Sequence, residues 1–338
     1  MLVTSAEMKA LEERAFAKGA TAEALMEEAG AKTADVVMQF FPSPGGCRAV
    51  FGKGHNGGDA LVAARHLAKW GWRIFTDAVF DEADWSPLTR KKFTELAGSS
   101  PAERFLPGEI VLDGLLGIGA AGALRGRVAE AARTINHMRE QNARVFAIDV
   151  PTGVDTDTGA VAADAVVADF TVTIGFAKRG LLVDGATNHV GRLCVVPLDA
   201  LDDAALDAAA PGSTATVATA QLLSRNFSRR NFNIHKGACG RVAIVAGSRG
   251  MTGAAAMCAR ACVRAGAGLV TLITTEDIQE ILAAIAPPEV MVRTVKSFRE
   301  ILGADFDVIG IGPGLGARHA DDVIAVITGA TVPVVVDA

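Results

Sequence analysis

The chain has 338 residues, half of them hydrophobic, and a formal net charge of −5. That length accommodates about two domains with sizeable cores. The weakly acidic balance, with no block of Lys and Arg, excludes nucleic acid as the main partner, because such binding needs clustered cations to replace counterions.

The five cysteines, at 47, 194, 239, 258 and 262, form no C-x-x-C pair and no Cys/His ligand spacing. Their mostly apolar surroundings predict reduced, buried thiols in a cytoplasmic protein. Met1 to Arg14 is charged and amphipathic, without the apolar core of a signal peptide. The most apolar stretch, Gly253 to Ile273, is broken by Arg260 and Arg264, so no membrane span is expected. The chain has no tyrosine, which removes the dehydrogenases that move a proton with a Tyr and Lys pair.

Two helices are predicted first, one capped by Thr4 or Ser5 and running to Lys18, the next capped by Thr21 and running to Phe40. Met26-Glu27-Glu28-Ala29-Gly30 lies in the second, with its acidic pair read as a solvated face. Strands and helices then alternate: strand 47–51, helix 58–70, strand 73–80, helix from Ser86 to Gly98, strand 109–113, helix 127–141, and strands 144–149, 167–174 and 192–197. This order predicts a doubly wound, mostly parallel sheet covered by helices, with ligands at the carboxyl ends of its strands.

The first such end is Gly52-Lys53-Gly54-His55-Asn56-Gly57-Gly58-Asp59. Glycines let backbone approach a ligand, and free amides at the next helix start favour phosphate. Gly52, Gly54 and Gly57 fit G-x-G-x-x-G, and Asp77 lies about 20 residues on, as a dinucleotide fingerprint requires. Asp59 opposes a bare pyrophosphate unless a cation or a capping role absorbs its charge. Two further strand ends deliver carboxylates beside glycines: Asp113-Gly114, and Asp149-Val150-Pro151-Thr152-Gly153-Val154-Asp155. One such Asp is usually a cap or turn former, whereas three polar strand ends favour a site, and Asn56, Asp113 and Thr152 offer oxygens to a hard cation.

Taken together, the Asn56-Gly57-Gly58-Asp59 loop, the Asp113 turn, Asp149 to Asp155 with Thr158-Gly159, and Gly175-Phe176-Ala177-Lys178-Arg179-Gly180-Leu181-Leu182 resemble the NAD(P)H-hydrate epimerase family. The resemblance covers residues 1 to 200 and implies a Rossmann-like sheet that binds NADH and NADPH hydrates. It implies substrate contacts at His55, Asn56, Gly57, Gly58 and Asp59, at Gly117, Ile118, Gly119, Ala120, Ala121, Gly122 and Ala123, and at Asp149, the implied catalytic acid or base. It further implies a potassium ion (K+) held by Asn56, Asp113 and Thr152, and a homo-oligomer. His55 stands where the family has Asn, Ala60 where it has Gly, and Thr152 where it has Ser.

A stretch rich in Ala, Asp, Pro and Gly, from Asp199 to Thr216, is read as a linker, with the domain boundary at Pro211. The two expected domains are therefore 1–211 and 212–338. After a predicted helix at Ala218 to Leu223, Asn233 to Ala255 leads into a helix ending near Ala265, followed by strands at 269–274, 290–294, 307–311 and 332–336. Asn233 to Ala255 and the Gly310 to Gly316 turn resemble the ADP- or ATP-dependent NAD(P)H-hydrate dehydratases, although Met251 replaces a usual Tyr. That implies a ribokinase-like fold, use of ADP or ATP with Mg2+, and substrate contacts at Ala254 and Gly314. The family's later His-Pro loop and Gly-Asp turn have no counterpart here, so a truncated second domain unable to complete dehydration is expected.

Two other readings compete with a repair enzyme. One is a dehydrogenase using Gly52, Gly54, Gly57 and Asp77; the other is a nucleotide-binding scaffold in which His55 and Ala60 have removed turnover.

Overall fold

The computed structural model describes residues 1–96, 100–101, 107–206, 224 and 229–337. Contacts divide the chain into Met1–Arg225 and Asn226–Ala338. The boundary expected at Pro211 and the helix expected at Ala218 to Leu223 lie outside the described residues.

The first unit opens with β1 (Leu2–Val3) and α1 (Ser5–Ala17). Thr4 and Glu7 form a capping box: the Thr4 hydroxyl accepts from the Glu7 amide at 3.2 Å, and Glu7 accepts from the Thr4 amide at 2.7 Å. Thr21 caps α2 (Ala22–Phe40) by accepting from Ala24 N. Then come β2 (Gly46–Phe51), α3 (His55–Lys69), β3 (Arg73–Ala78), α4 (Pro87–Glu95), β4 (Ser100–Pro101), β5 (Ile110–Gly114), α5 (Gly126–Glu140) and β6 (Arg144–Ile148). They are followed by β7 (Phe170–Ile174), β8 (Ala177–Lys178), α6 (Thr187–Val190), β9 (Arg192–Val196) and α7 (Asp199–Leu206).

Seven of these strands form one parallel sheet in the order β4-β3-β2-β5-β6-β7-β9. The chain winds outward from β2 to β4, then returns to β5 and winds the other way. The reversal between β2 and β5 opens a crevice at their carboxyl ends, where ligands of such sheets bind. Alternate residues on each strand supply opposite faces. Ala49, Phe51, Leu112, Phe146 and Ile148 join the core under α1, α2 and α3. Val50, Val111, Val145 and Ala147 join a second core with Ile135 and Met138 of α5. Burial on both faces explains why the strands read as continuous apolar runs.

Three expectations need correction. The stretch read as a linker begins with α7, and Leu201 of that helix is 1% exposed in the main core; Ala-rich sequence with scattered Asp is good helix material. The acidic pair Glu27-Glu28 is not a plain solvated face, because Glu27 pairs with Arg65 of α3 and with Lys92 of α4, itself only 2% exposed. Of the five free thiols only Cys47 is buried; the other four are half-buried.

The second unit holds a five-stranded parallel sheet in the order β12-β11-β10-β13-β14, built from β10 (Arg241–Val245), β11 (Leu269–Thr274), β12 (Val290–Thr294), β13 (Val308–Ile311) and β14 (Val334–Val336). Helices Thr252–Ala265, Gln279–Ile285 and Ala320–Gly329 connect them. Arg260 and Arg264, which break the most apolar stretch of the sequence, are exposed. Among the described residues no helix is long and apolar enough to cross a membrane.

Candidate active site

The glycine turn after β2 is shorter than its sequence reads. Helix α3 starts at His55, so Asn56-Gly57-Gly58-Asp59 forms its first turn instead of a loop ahead of it. What permits this is a close approach of backbone to backbone: a Cβ on Gly57 would sit 2.3 Å from the Gly52 carbonyl oxygen. Gly57 and Gly58 are buried, and neither lines the cavity described below. From α4, the Thr89 hydroxyl donates to Gly54 O at 2.9 Å and fixes the turn.

Strand β5 delivers Asp113 to the same crevice. Its carboxylate is fully buried and accepts from Leu115 N at 3.3 Å, Thr152 N at 2.8 Å and Thr152 Oγ1 at 2.8 Å. Leu116 N donates in turn to Thr152 Oγ1 at 3.2 Å, and Asn56 Nδ2 donates to Leu116 O at 2.9 Å. Asn56, Asp113 and Thr152 therefore converge on residues 115–116. Burial pushes the Asp113 carboxyl up to about 6, against the downward pull of the Thr152 and Leu115 donors. Among the described residues no cationic side chain pairs with it.

Strand β6 ends at Ile148, and the next residue, Asp149, has φ 67° although it is not glycine. Val150 N donates to Ile148 O at 2.8 Å across it, closing a γ-turn of the rare positive-φ kind. Such conformations cost on the order of 1–3 kcal/mol and cluster at functional sites. The carboxylate is held from behind: Lys178 Nζ and Ile174 N both donate to Asp149 Oδ1, the latter at 3.1 Å. Lys178 is fully buried and also donates to Thr173 Oγ1 at 3.1 Å and Ile174 O at 2.7 Å.

These strand ends surround a cavity of about 470 Å³ lined by His55, Asn56, Asp59, Gly117, Ile118 and Asp149, all expected, together with Met8, Glu12, Lys53, Phe80, Leu115, Leu116 and Ile174. Gly119, Ala120, Ala121, Gly122 and Ala123 line a neighbouring recess of about 310 Å³ that shares Leu116 with it. Sequence reasoning missed Glu12, which reaches the cavity from α1, and the ion pair that makes Lys178 part of the site. Lys178 stood in a quoted motif, and that motif was the available signal. Asp77 is not among the lining residues: it accepts from Arg48 at 3.2 Å, and Arg48 also donates to Glu109.

The second unit repeats the logic at the reversal between β10 and β13. Gly247 N donates to Pro313 O at 2.8 Å, and the Ser248 hydroxyl donates to Gly314 O at 2.7 Å. A Cβ on Gly314, where φ is 67°, would sit 2.9 Å from Ala254 Cβ, so the two expected contacts are neighbours.

The molecule is thus an α/β protein of two parallel-sheet units, the first carrying an acid-lined crevice at its switch point. A sequence profile described as YjeF-related protein N-terminus matches residues 22–180, and one described as NAD(P)H-hydrate dehydratase matches 242–338. The bifunctional NAD(P)H-hydrate repair enzyme Nnr of Pyrobaculum aerophilum is 35% identical over 94% of this chain and 65% of its own length. That of Moorella thermoacetica is 32% identical over 100% of this chain and 68% of its own length. The chain belongs to the family of bifunctional NAD(P)H-hydrate repair enzymes. It spans about two thirds of the length of these relatives. Among solved structures, the yeast protein ynu0 is similar with a TM-score of 0.49 at 19% identity, covering 63% of this chain and 97% of that chain.

Proposed function

We propose that the first unit interconverts the R and S hydrates of NADH and NADPH at C6 of the nicotinamide ring. The observation that carries this reading is a single cavity at the switch point in which Asp149 is pinned by a buried ammonium while Asp59 and Glu12 share its walls. Inverting a hydrated carbon needs a group that gives a proton and one that takes it, each within reach of the reacting atoms. Asp149 is the acid or base; His55, Asn56, Asp59, Gly117 and Ile118 bind the substrate, and Gly119 to Ala123 extend that surface. Mixing the chain with purified R-hydrate and following S-hydrate by chromatography tests the reading. An accelerated approach to equilibrium is expected, and no acceleration refutes it.

Potassium fits the first unit. Asp113 is a buried carboxylate served by neutral donors, beside the Thr152 hydroxyl and the Asn56 amide, an all-oxygen donor set of the kind hard cations take. When bound, the ion supplies positive charge that keeps this carboxylate-lined crevice compatible with an anionic dinucleotide. Asn56, Asp113 and Thr152 would hold it. Crystals grown with rubidium or thallium in place of potassium should show an anomalous peak beside Asn56 and Asp113, and an empty site sinks this assignment.

For the second unit we propose S-hydrate binding at Ala254 and Gly314, with ADP or ATP and Mg2+ as the nucleotide partner. Nucleotide-dependent loss of S-hydrate absorbance measures whether this chain turns the S-hydrate over.

A further inference from the structure

Three carboxyl groups, Glu12, Asp59 and Asp149, reach the cavity of the first unit, and the surroundings of Asp59 and Asp149 differ in kind. Asp149, from the end of β6, faces an ammonium with no exposure to solvent. That ammonium is anchored: β8 pairs with β1, Val3 opposite Lys178, and Lys178 also donates to Thr173 and Ile174. Asp59, from the first turn of α3, has no hydrogen-bond or ion-pair partner among the described residues and lines the same cavity. Burial, then the nearby Asp149 and Glu12 carboxyls, hold its proton well above the usual carboxylate range against an opposing pull from Lys178. Burial, then Asp149, likewise raises Glu12. An ion-paired carboxylate and a carboxyl group without a partner, facing one cavity, are set for opposite roles, base and acid.

We propose that Asp59 is the second catalytic residue of this site, the acid that works against Asp149 as base, and that Lys178 is the positioning residue that fixes Asp149 in that role. This rests on the epimerase reading above. The hydrate carries a hydroxyl on C6, next to ring nitrogen N1. Asp59 donates its proton to that oxygen, the C6–O bond breaks with its electron pair leaving in water, and the N1 lone pair closes an N1=C6 iminium bond. Water then adds to the other face of C6. Its oxygen supplies the pair for the new bond, the N1=C6 π pair returns to N1, and Asp149 takes the released proton. Nothing is oxidised or reduced. One proton has passed from Asp59 to Asp149 and returns through solvent.

The test compares the unmodified chain with Asp59→Asn, Asp59→Glu and Lys178→Met, using R-NADPH hydrate in oxygen-18 water. The unmodified chain should place solvent oxygen on C6 with each inversion. Asp59→Asn should lower kcat by about 10²–10⁴-fold, the usual worth of a positioned acid, with KM and thermal midpoint little changed. Asp59→Glu should recover part of that loss, and Lys178→Met should lower kcat more than it raises KM. Inversion without uptake of solvent oxygen overturns the proposal, as does an Asp59→Asn kcat within about tenfold of the unmodified chain. A raised KM with kcat intact marks Asp59 as a substrate contact only, a lowered midpoint with kcat intact marks it as structural, and either result overturns the proposal. If the unmodified chain inverts nothing, the epimerase reading itself fails, an outcome distinct from the others.

Discussion

Asp149→Asn is expected to destabilise the first unit by about 3–5 kcal/mol, because it leaves the Lys178 ammonium buried with no counter-charge. At about 2–4 °C per kcal/mol for a unit of this size, the midpoint should fall by roughly 6–20 °C. Lys178→Met removes the same pair from the other side. Its effect should be smaller, since Asp149 is 6% exposed and borders the cavity, whereas Lys178 has no route to water. The informative species is the double variant, Asp149→Asn with Lys178→Met, which removes both charges and should regain more than half of the Asp149→Asn loss. It should not regain all, because Thr173 Oγ1 and Ile174 O lose their donor. The three tryptophans, Trp70, Trp72 and Trp85, all lie in the first unit, so their fluorescence during urea unfolding reports that unit alone. A double variant destabilised by the sum of the two singles would show the residues to be uncoupled and sink the ion-pair argument.

The pair also marks the limit of what the sequence could show. Strand ends were legible because the rule that sheets bind ligands at their carboxyl edges needs only strand order. Apolar runs ending in Asp113 and Asp149 display that order openly. The start of α3 was not legible, because glycines are read as turn formers, and only the packing of Gly57 on the Gly52 carbonyl explains why they begin a helix here. Residues that reach a site through long-range topology were hidden for a different reason. Glu12 belongs to an amphipathic helix whose sequence gives no sign that one of its charges faces a cavity. Lys178 meets Asp149 only because β8 folds back onto β1 after β7, a placement that no local pattern encodes. The helix Asp199–Leu206 was lost to composition: a segment made mostly of Asp and Ala looks like linker until Leu201 is seen to enter the core.

Gly52→Ala is expected to lower activity in the first unit by about 10²-fold or more while leaving its fold recognisable. The added Cβ would sit 2.1 Å from the Leu115 carbonyl oxygen, a backbone atom with no flexible end to yield, so one of the two strand ends must move. Gly52 N donates to Gly114 O at 3.0 Å, and residues 115–116 are the backbone on which Asn56 and Thr152 converge. Parting β2 from β5 there shifts the wall of the cavity formed by Leu115, Leu116 and Gly117 relative to Asp59 and Asp149. A misplacement of about 1 Å is enough to lose on the order of 10²-fold in rate. Overpacking of this kind destabilises by about 1–3 kcal/mol, which leaves the folded state dominant at room temperature. The expected result is therefore near-native circular dichroism at 25 °C with kcat/KM for hydrate inversion lowered by about 10²-fold or more. Activity within about threefold of the unmodified chain, with the substitution verified in a crystal, would mean that the β2–β5 crevice is not where the chemistry happens.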